Sequence, residues 1–171
     1  LTVGAYSLTF TPDGTALLLG LGDGSIVLSD VATGRDTRRV EAHTGAVIDL
    51  TLSAGGALLA STGDRRIRLW RTADLTPAGV IEATDTLAGA AQFTPDGRFL
   101  AVATARSVAI GAADGRPVTR LNTDALVQSV AFAPDGQTIA AATYGGQVQL
   151  WQCACTVGAI LLRRFRRATG R

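Results

Sequence analysis

The chain has no methionine, a single histidine and two cysteines, and all sixteen of its basic residues are arginine. Two cysteines are too few for a disulfide framework, and Cys153 and Cys155, one residue apart, would bridge only with strain. They read as free thiols, which points to a reducing compartment and to a cytoplasmic location. With no histidine nearby, Cys153-Ala154-Cys155 lacks the four ligands of a structural zinc site, so neither a metal nor a cofactor is expected. No apolar run approaches the ~18 residues of a membrane helix, and the N-terminus has no charged, apolar, small-residue pattern for export. No glycine-rich phosphate loop ending in lysine occurs, which excludes nucleotide-switch chemistry from this stretch. Aromatic residues make up only 5%, and none interleaves with the C-terminal arginines as base stacking would require.

What is present is apolar and unevenly charged. Hydrophobic residues reach 47% over 171 residues, enough for a sizeable core. Residues 1–162 carry eleven arginines against fourteen acids, a net of minus three, and Arg163, Arg164, Arg166, Arg167 and Arg171 add plus five. The near-neutral total therefore hides a mildly acidic body and a basic tail.

The apolar residues fall into short alternating runs. Between residues 42 and 70, runs at 47–52, 57–61 and 67–70 are separated by Ala54-Gly55-Gly56 and by a polar turn at Asp64, the pattern of an antiparallel meander. The same template recurs three more times. Thr11-Pro12-Asp13-Gly14 returns as Ser53-Ala54-Gly55-Gly56, Thr94-Pro95-Asp96-Gly97 and Ala133-Pro134-Asp135-Gly136, and Pro12, Ala54, Pro95 and Pro134 stand 42, 41 and 39 residues apart. The third run of each unit ends at Leu28-Ser29, Leu69-Trp70, Ile110-Gly111 and Leu150-Trp151. Units of about 40 residues with four short strands are the signature of propeller blades. The expected fold is all-β, a β-propeller of four-stranded antiparallel blades at 1–41, 42–82, 83–121 and 122–152, with a tail at 153–171. In that tail, position favours an outer strand at 157–162, whereas Val157, Ile160, Leu161 and Phe165 form a helical stripe; the helix is the favoured reading.

On these repeats the chain resembles the WD-repeat family over residues 1–152, although its Trp-Asp pair reads Trp70-Arg71 and Trp151-Gln152, and Ser29-Asp30 keeps only the aspartate. The resemblance implies a buried hydrogen-bond chain through His43, Ser61, Asp64 and Trp70, with the aspartate six residues before the tryptophan. It also implies a closed ring of about seven blades. Four are present, and the chain opens at Leu1 inside a repeat, so a fragment of a larger propeller with further blades upstream is expected. The other blades keep only parts of the hydrogen-bond chain: Asp23 before Ser29, Thr84 and Gly111 in the third, Thr123, Thr143 and Trp151 in the fourth. Blade two is thus expected to be the most rigid and blade three the loosest.

A serine, a histidine and an aspartate within 22 residues also resemble a catalytic triad. No glycine-flanked nucleophile elbow surrounds Ser61 and no oxyanion element is visible, so the structural reading is preferred. Each Pro-Asp-Gly segment supplies one carboxylate and reads as a turn rather than a metal site. The tail arginines read first as a solvated face, with contact to nucleic acid or an anionic surface the less favoured reading, and Arg65, Arg66 and Arg68 read as surface charge or as part of a partner footprint. The resemblance implies a non-enzymatic scaffold or sensor module that binds a protein or peptide partner through its loop-bearing faces, joined to a larger bacterial signalling protein. The alternative is a small-ligand-binding or enzymatic propeller using the central channel, for which Asp49 is the clearest inner-strand carboxylate.

Overall fold

The computed structural model describes residues 3–82, 89–153 and 162–167. Sixteen strands form four antiparallel four-stranded sheets, each in sequential order. The first sheet holds β1 (Ala5–Phe10), β2 (Ala16–Leu21), β3 (Ser25–Asp30) and β4 (Asp36–Glu41). The second holds β5 (Asp49–Leu52), β6 (Leu58–Thr62), β7 (Arg66–Arg71) and β8 (Thr76–Glu82). The third holds β9 (Ala91–Phe93), β10 (Phe99–Ala103), β11 (Ser107–Ala112) and β12 (Pro117–Asn122). The fourth holds β13 (Val127–Phe132), β14 (Thr138–Thr143), β15 (Val148–Cys153) and β16 (Leu162–Arg167). The first strands of consecutive sheets lie next to one another, so β1, β5, β9 and β13 form the inner edge of the array.

The repeated turn explains why each sheet starts with a tight hairpin. In the first, the Asp13 carboxylate accepts bonds from the Thr11 hydroxyl at 2.6 Å and from the Thr15 amide and hydroxyl at 3.1 and 2.9 Å. Pro12 presets the backbone, and Gly14, at φ 70°, takes the left-handed step that a Cβ would penalise. The Thr94 hydroxyl and Arg98 amide donate to Asp96 in the same way.

Strand alternation gives every sheet two apolar faces, and the core forms where consecutive faces meet. Leu18 and Ile26 of the first sheet pack with Leu50, Leu59 and Trp70 of the second. Ala60, Ile67 and Leu69 pack with Phe93, Leu100 and Val102, and Ala101, Val108 and Ile110 pack with Val130, Phe132, Ile139 and Trp151. Complete burial of side chains such as Leu59 and Leu100 stabilises the fold by about 1.5–3 kcal/mol each.

The helix expected in the tail is not formed over Leu162–Arg167. These residues are a strand paired with β15, from Val148↔Arg167 to Cys153↔Leu162. The physical reason is the open edge of β15, whose backbone donors and acceptors take an antiparallel partner where a lone short helix would leave them unpaired. The outer strand also begins later than expected, because nine positions separate Cys153 from Leu162 where five separate Arg71 from Thr76. The fourth sheet therefore runs past residue 152. Residues 157–161 of the helical stripe, Cys155 and Thr84 lie outside the described residues. The inner strand of the second sheet starts later than the alternation implies, at Asp49 rather than 47.

The third sheet has Gly111 where the second has Trp70, and Ile81 of β8 fills that space. A Cβ on Gly111 would meet Ile81 Cδ1 at 2.5 Å. Gly111→Ala should therefore lower stability by about 1–3 kcal/mol through overpacking. Adding Ile81→Val, which removes Cδ1, should recover part of that loss in a urea-melting double-mutant cycle. Simple additivity of the two single-variant effects would contradict the proposed contact.

Candidate functional site

Residues on three elements of the second sheet converge beside the first. His43 lies in the segment leading into β5, Ser61 on β6, and Trp70 on β7, with Asp64 in the turn between β6 and β7. The β2–β3 hairpin sets the histidine's position: the Gly24 carbonyl accepts the Ala42 and His43 amides at 2.9 and 2.8 Å. Gly24 has φ 88°, and a Cβ there would collide with the His43 carbonyl. Gly63 makes room from the other side, since its Cβ would meet the imidazole Cγ at 2.7 Å.

Within this frame the four predicted residues are in contact. Trp70 Nε1 donates to Ser61 Oγ at 2.9 Å, and Ser61 Oγ lies 2.8 Å from His43 Nε2. His43 Nδ1 lies 3.1 Å from Asp64 Oδ1. The indole donates to the serine, the serine hydroxyl and Nε2 share the next contact, and Nδ1 faces the Asp64 carboxylate. The chain thus runs from a buried indole to an aspartate at the surface.

Arg68, read from sequence as surface charge, belongs to this chain. Its Nη1 donates to Asp64 Oδ1 and Oδ2 at 3.0 and 3.2 Å and lies 2.8 Å from His43 Nδ1. The signal was available: Arg68 is two residues before Trp70 and therefore on the same strand face, and it pairs across the sheet with Ser61. The roles of Gly24 and Gly63 were also missed, because close approach to His43 depends on a neighbouring hairpin.

The electrostatics follow from this packing. Burial pushes the His43 pKa down, the Asp64 interactions oppose that shift, and the Arg68 charge adds to it, so the imidazole is neutral at pH 7. Burial would raise the Asp64 pKa, but hydrogen bonds from Arg68 and then His43 outweigh it and hold the carboxyl well below the usual range. As chemistry the arrangement is closed. Ser61 is fully buried with its oxygen held between an indole and an imidazole, so a substrate has no path to it.

The other sheets carry local substitutes. Ser29 donates to Asp36 at 2.6 Å, the Thr104 and Ser107 hydroxyls share a 2.7 Å contact, and Gln149 Nε2 donates to Asp124 at 3.4 Å. Among the described residues, no group of three or more metal-ligating side chains is present. Asp49 is also committed: its Oδ2 accepts the Ala91 amide of the third sheet at 2.7 Å and its Oδ1 accepts the Leu50 amide at 3.0 Å.

The two ends of the sheets present different surfaces. At the end holding His43, the inner edge exposes Ile48, Leu126 and Tyr144, anchored by the Ile48 amide on Thr62 and the Tyr144 amide on Leu126. At the opposite end a groove of about 740 Å³ crosses three sheets, lined by Pro12, Asp13, Gly56, Arg71, Thr72 and Ala113 among others.

Sequential four-stranded antiparallel meanders stacked face to face define β-propeller blades. The family model described as "WD domain, G-beta repeat" matches residues 34–71 and 115–152, and these two stretches are WD repeats. Each runs from the outer strand of one sheet through the third strand of the next. Over 94 residues the chain is 29% identical to pre-mRNA-processing factor 19 homolog 2 of Arabidopsis thaliana, covering 55% of this chain and 18% of that protein. Over 71 residues it is 28% identical to WD repeat-containing protein 81 of Homo sapiens, covering 42% of this chain and 4% of that protein. The fold matches the crystal structure of the RRP9 WD40 repeats with a TM-score of 0.80 at 20% identity, over 95% of this chain and 51% of that one. The Cps50 (Swd1) β-propeller domain of Myceliophteria thermophila matches with a TM-score of 0.78 at 20% identity, over 88% and 54%. The chain thus spans about half of these structures and under a fifth of the two relatives.

Removing one member of the buried chain should leave its partners unpaired. Asp64→Ala and His43→Ala should each cost about 1–3 kcal/mol in urea melting. The pH dependence has a defined sign. Both folded pKa values lie below the unfolded ones, so both contributions are present at neutral pH and lost on acidification. The His43 part should fade as pH falls below about 6.5 and through its lowered folded value, and the Asp64 part only below about 3.9. His43→Gln should flatten the first segment of a stability-against-pH curve and leave the second; an unchanged first segment would contradict the neutral, buried imidazole.

Proposed function

We propose that the chain is a non-catalytic scaffold that binds a protein or peptide partner, as a module of a bacterial signalling protein working in the cytoplasm. The observation that carries this reading is the apolar inner rim at one end of the sheets. Ile48 and Leu126 are exposed there just before β5 and β13, and Tyr144 in the β14–β15 turn, with the Ile48 and Tyr144 amides donating to the Thr62 and Leu126 carbonyls, and the exposed Arg65 and Arg66 lie in the β6–β7 hairpin. Apolar anchors with a charged surround, held on a rigid frame, suit a protein interface. The WD repeats and the scaffold-like fold support the same reading. The signalling role and the bacterial source rest on the resemblance to WD regions joined to kinases or switch ATPases, and the cytoplasmic location rests on the paired free-thiol pattern.

The alternative, a channel-based enzyme or ligand binder, requires free polar groups on the inner strands. Asp49 is spent on the joint with the third sheet, and burial raises its pKa against the opposing Ala91 and Leu50 amide bonds. Ser61, His43 and Asp64 are spent on the buried chain.

The test is selection of binding peptides from a displayed library, followed by affinity measurement on variants. Leu126→Asp with Tyr144→Ala should weaken the selected peptides at least about tenfold, or 1.4 kcal/mol, with an unchanged urea midpoint. Arg71→Ala in the groove at the far end should have no effect. Loss of binding in the Arg71 variant alone would move the interface to that groove.

A further inference from the structure

The second sheet departs from its neighbours at the end opposite His43, and the departures meet in the groove there. The β1–β2, β9–β10 and β13–β14 turns carry a carboxylate at Asp13, Asp96 and Asp135, where the β5–β6 turn has Gly55. A Cβ on Gly55 would meet nothing within 4 Å, so the missing side chain leaves open space, while the buried Gly56 lets the Pro12 ring close against the turn. Arg71 stands where the first sheet has Asp30, and Thr72 where the first and third have Val31 and Ala113. The amides of Val31, Thr72 and Ala113 donate to the carbonyls of Thr15, Ala57 and Arg98 at 2.9, 3.1 and 2.9 Å, so the three positions are structurally equivalent.

These exchanges make the groove basic and leave one polar atom unused. Arg71 is exposed and, among the described residues, forms no ion pair. Bonds from the Thr76 hydroxyl and amide hold the Asp74 pKa down, and the charges of Arg38 and Arg71 add to that shift, so two guanidiniums act on one carboxylate. Asp13, on the first-sheet wall, is engaged by Thr11 and Thr15 of its own turn. Thr72 is 6% exposed, and its hydroxyl has no hydrogen-bond partner among the described residues. A buried unpaired hydroxyl lowers stability, and valine, the residue at position 31, has nearly the same shape without it. Ala57, Ala73, Ala78 and Ala113 line the groove between these groups, small side chains that admit the close approach of a main chain. Its volume of about 740 Å³ falls within the ~300–1,000 Å³ of ligand sites.

We propose that this groove binds an extended segment of a partner protein that carries an acidic side chain, its carboxylate received by Arg71 and by the Thr72 hydroxyl. One step between staggered χ1 rotamers redirects that hydroxyl, and charge-assisted bonds to a carboxylate are stronger than neutral ones. The site is separate from the apolar rim, which lies at the other end of the sheets, and neither reading depends on the other.

The test is peptide selection on the chain carrying Leu126→Asp and Tyr144→Ala, which disables the rim. A displayed random library should return peptides that share an aspartate or glutamate. In the same background, Arg71→Ala should weaken them about tenfold. Exchanging the peptide's acid for its amide should cost as much, and the two changes together should cost little more than either alone. Thr72→Val should weaken binding about threefold, with the urea midpoint unchanged or raised. No selected peptide, peptides without a shared acid, or binding that survives Arg71→Ala overturns the proposal. Unchanged binding in the Thr72→Val variant also overturns it, because the hydroxyl is then an unused buried group.

Discussion

Every sheet in this chain has two apolar faces and four short strands, and so must be covered on both sides. That constraint organises the molecule. A single four-stranded sheet has no interior of its own; Leu59 and Leu100 become fully buried only because another sheet lies against them. Stability is therefore distributed over joints rather than sheets, as in other repeat architectures. The sequence repeats match this stagger, since each WD repeat joins an outer strand to the next three strands.

The His43 chain is a refinement of one joint. The first sheet's Gly24 carbonyl holds the segment that carries the imidazole, and the second sheet supplies Ser61, Asp64, Arg68 and Trp70. Buried polar groups of this kind are costly when partly satisfied and rigidifying when fully satisfied. The same Ser, His and Asp that resemble a triad in the sequence are thereby removed from chemistry: their polar atoms are spent on one another and on an indole. The rigidity is delivered to the end where the inner strands begin and where the apolar rim lies.

Composition at the end faces has the same origin. Phe10 and Ala140 are ordinary members of a repeating set of large and small positions, and only their place in the stack leaves them open.

What the sequence by itself determined was local and periodic. Alternation with period two and the recurring turns placed the repeating four-stranded units, because hairpin formation depends on neighbours in the chain. The Asp64-to-Trp70 spacing identified the candidate hydrogen-bond chain for a similar reason, with both residues on one hairpin. The tertiary structure decided what depends on contacts between distant segments. It made Leu162–Arg167 a strand by offering the edge of β15 to a segment whose pattern allowed either form. It drew Arg68 from the surface into the His43 chain, and it gave Gly24, Gly63 and Gly111 their purpose through atoms up to 30 residues away in sequence. Periodicity reports which residues share a face; only packing decides what that face meets.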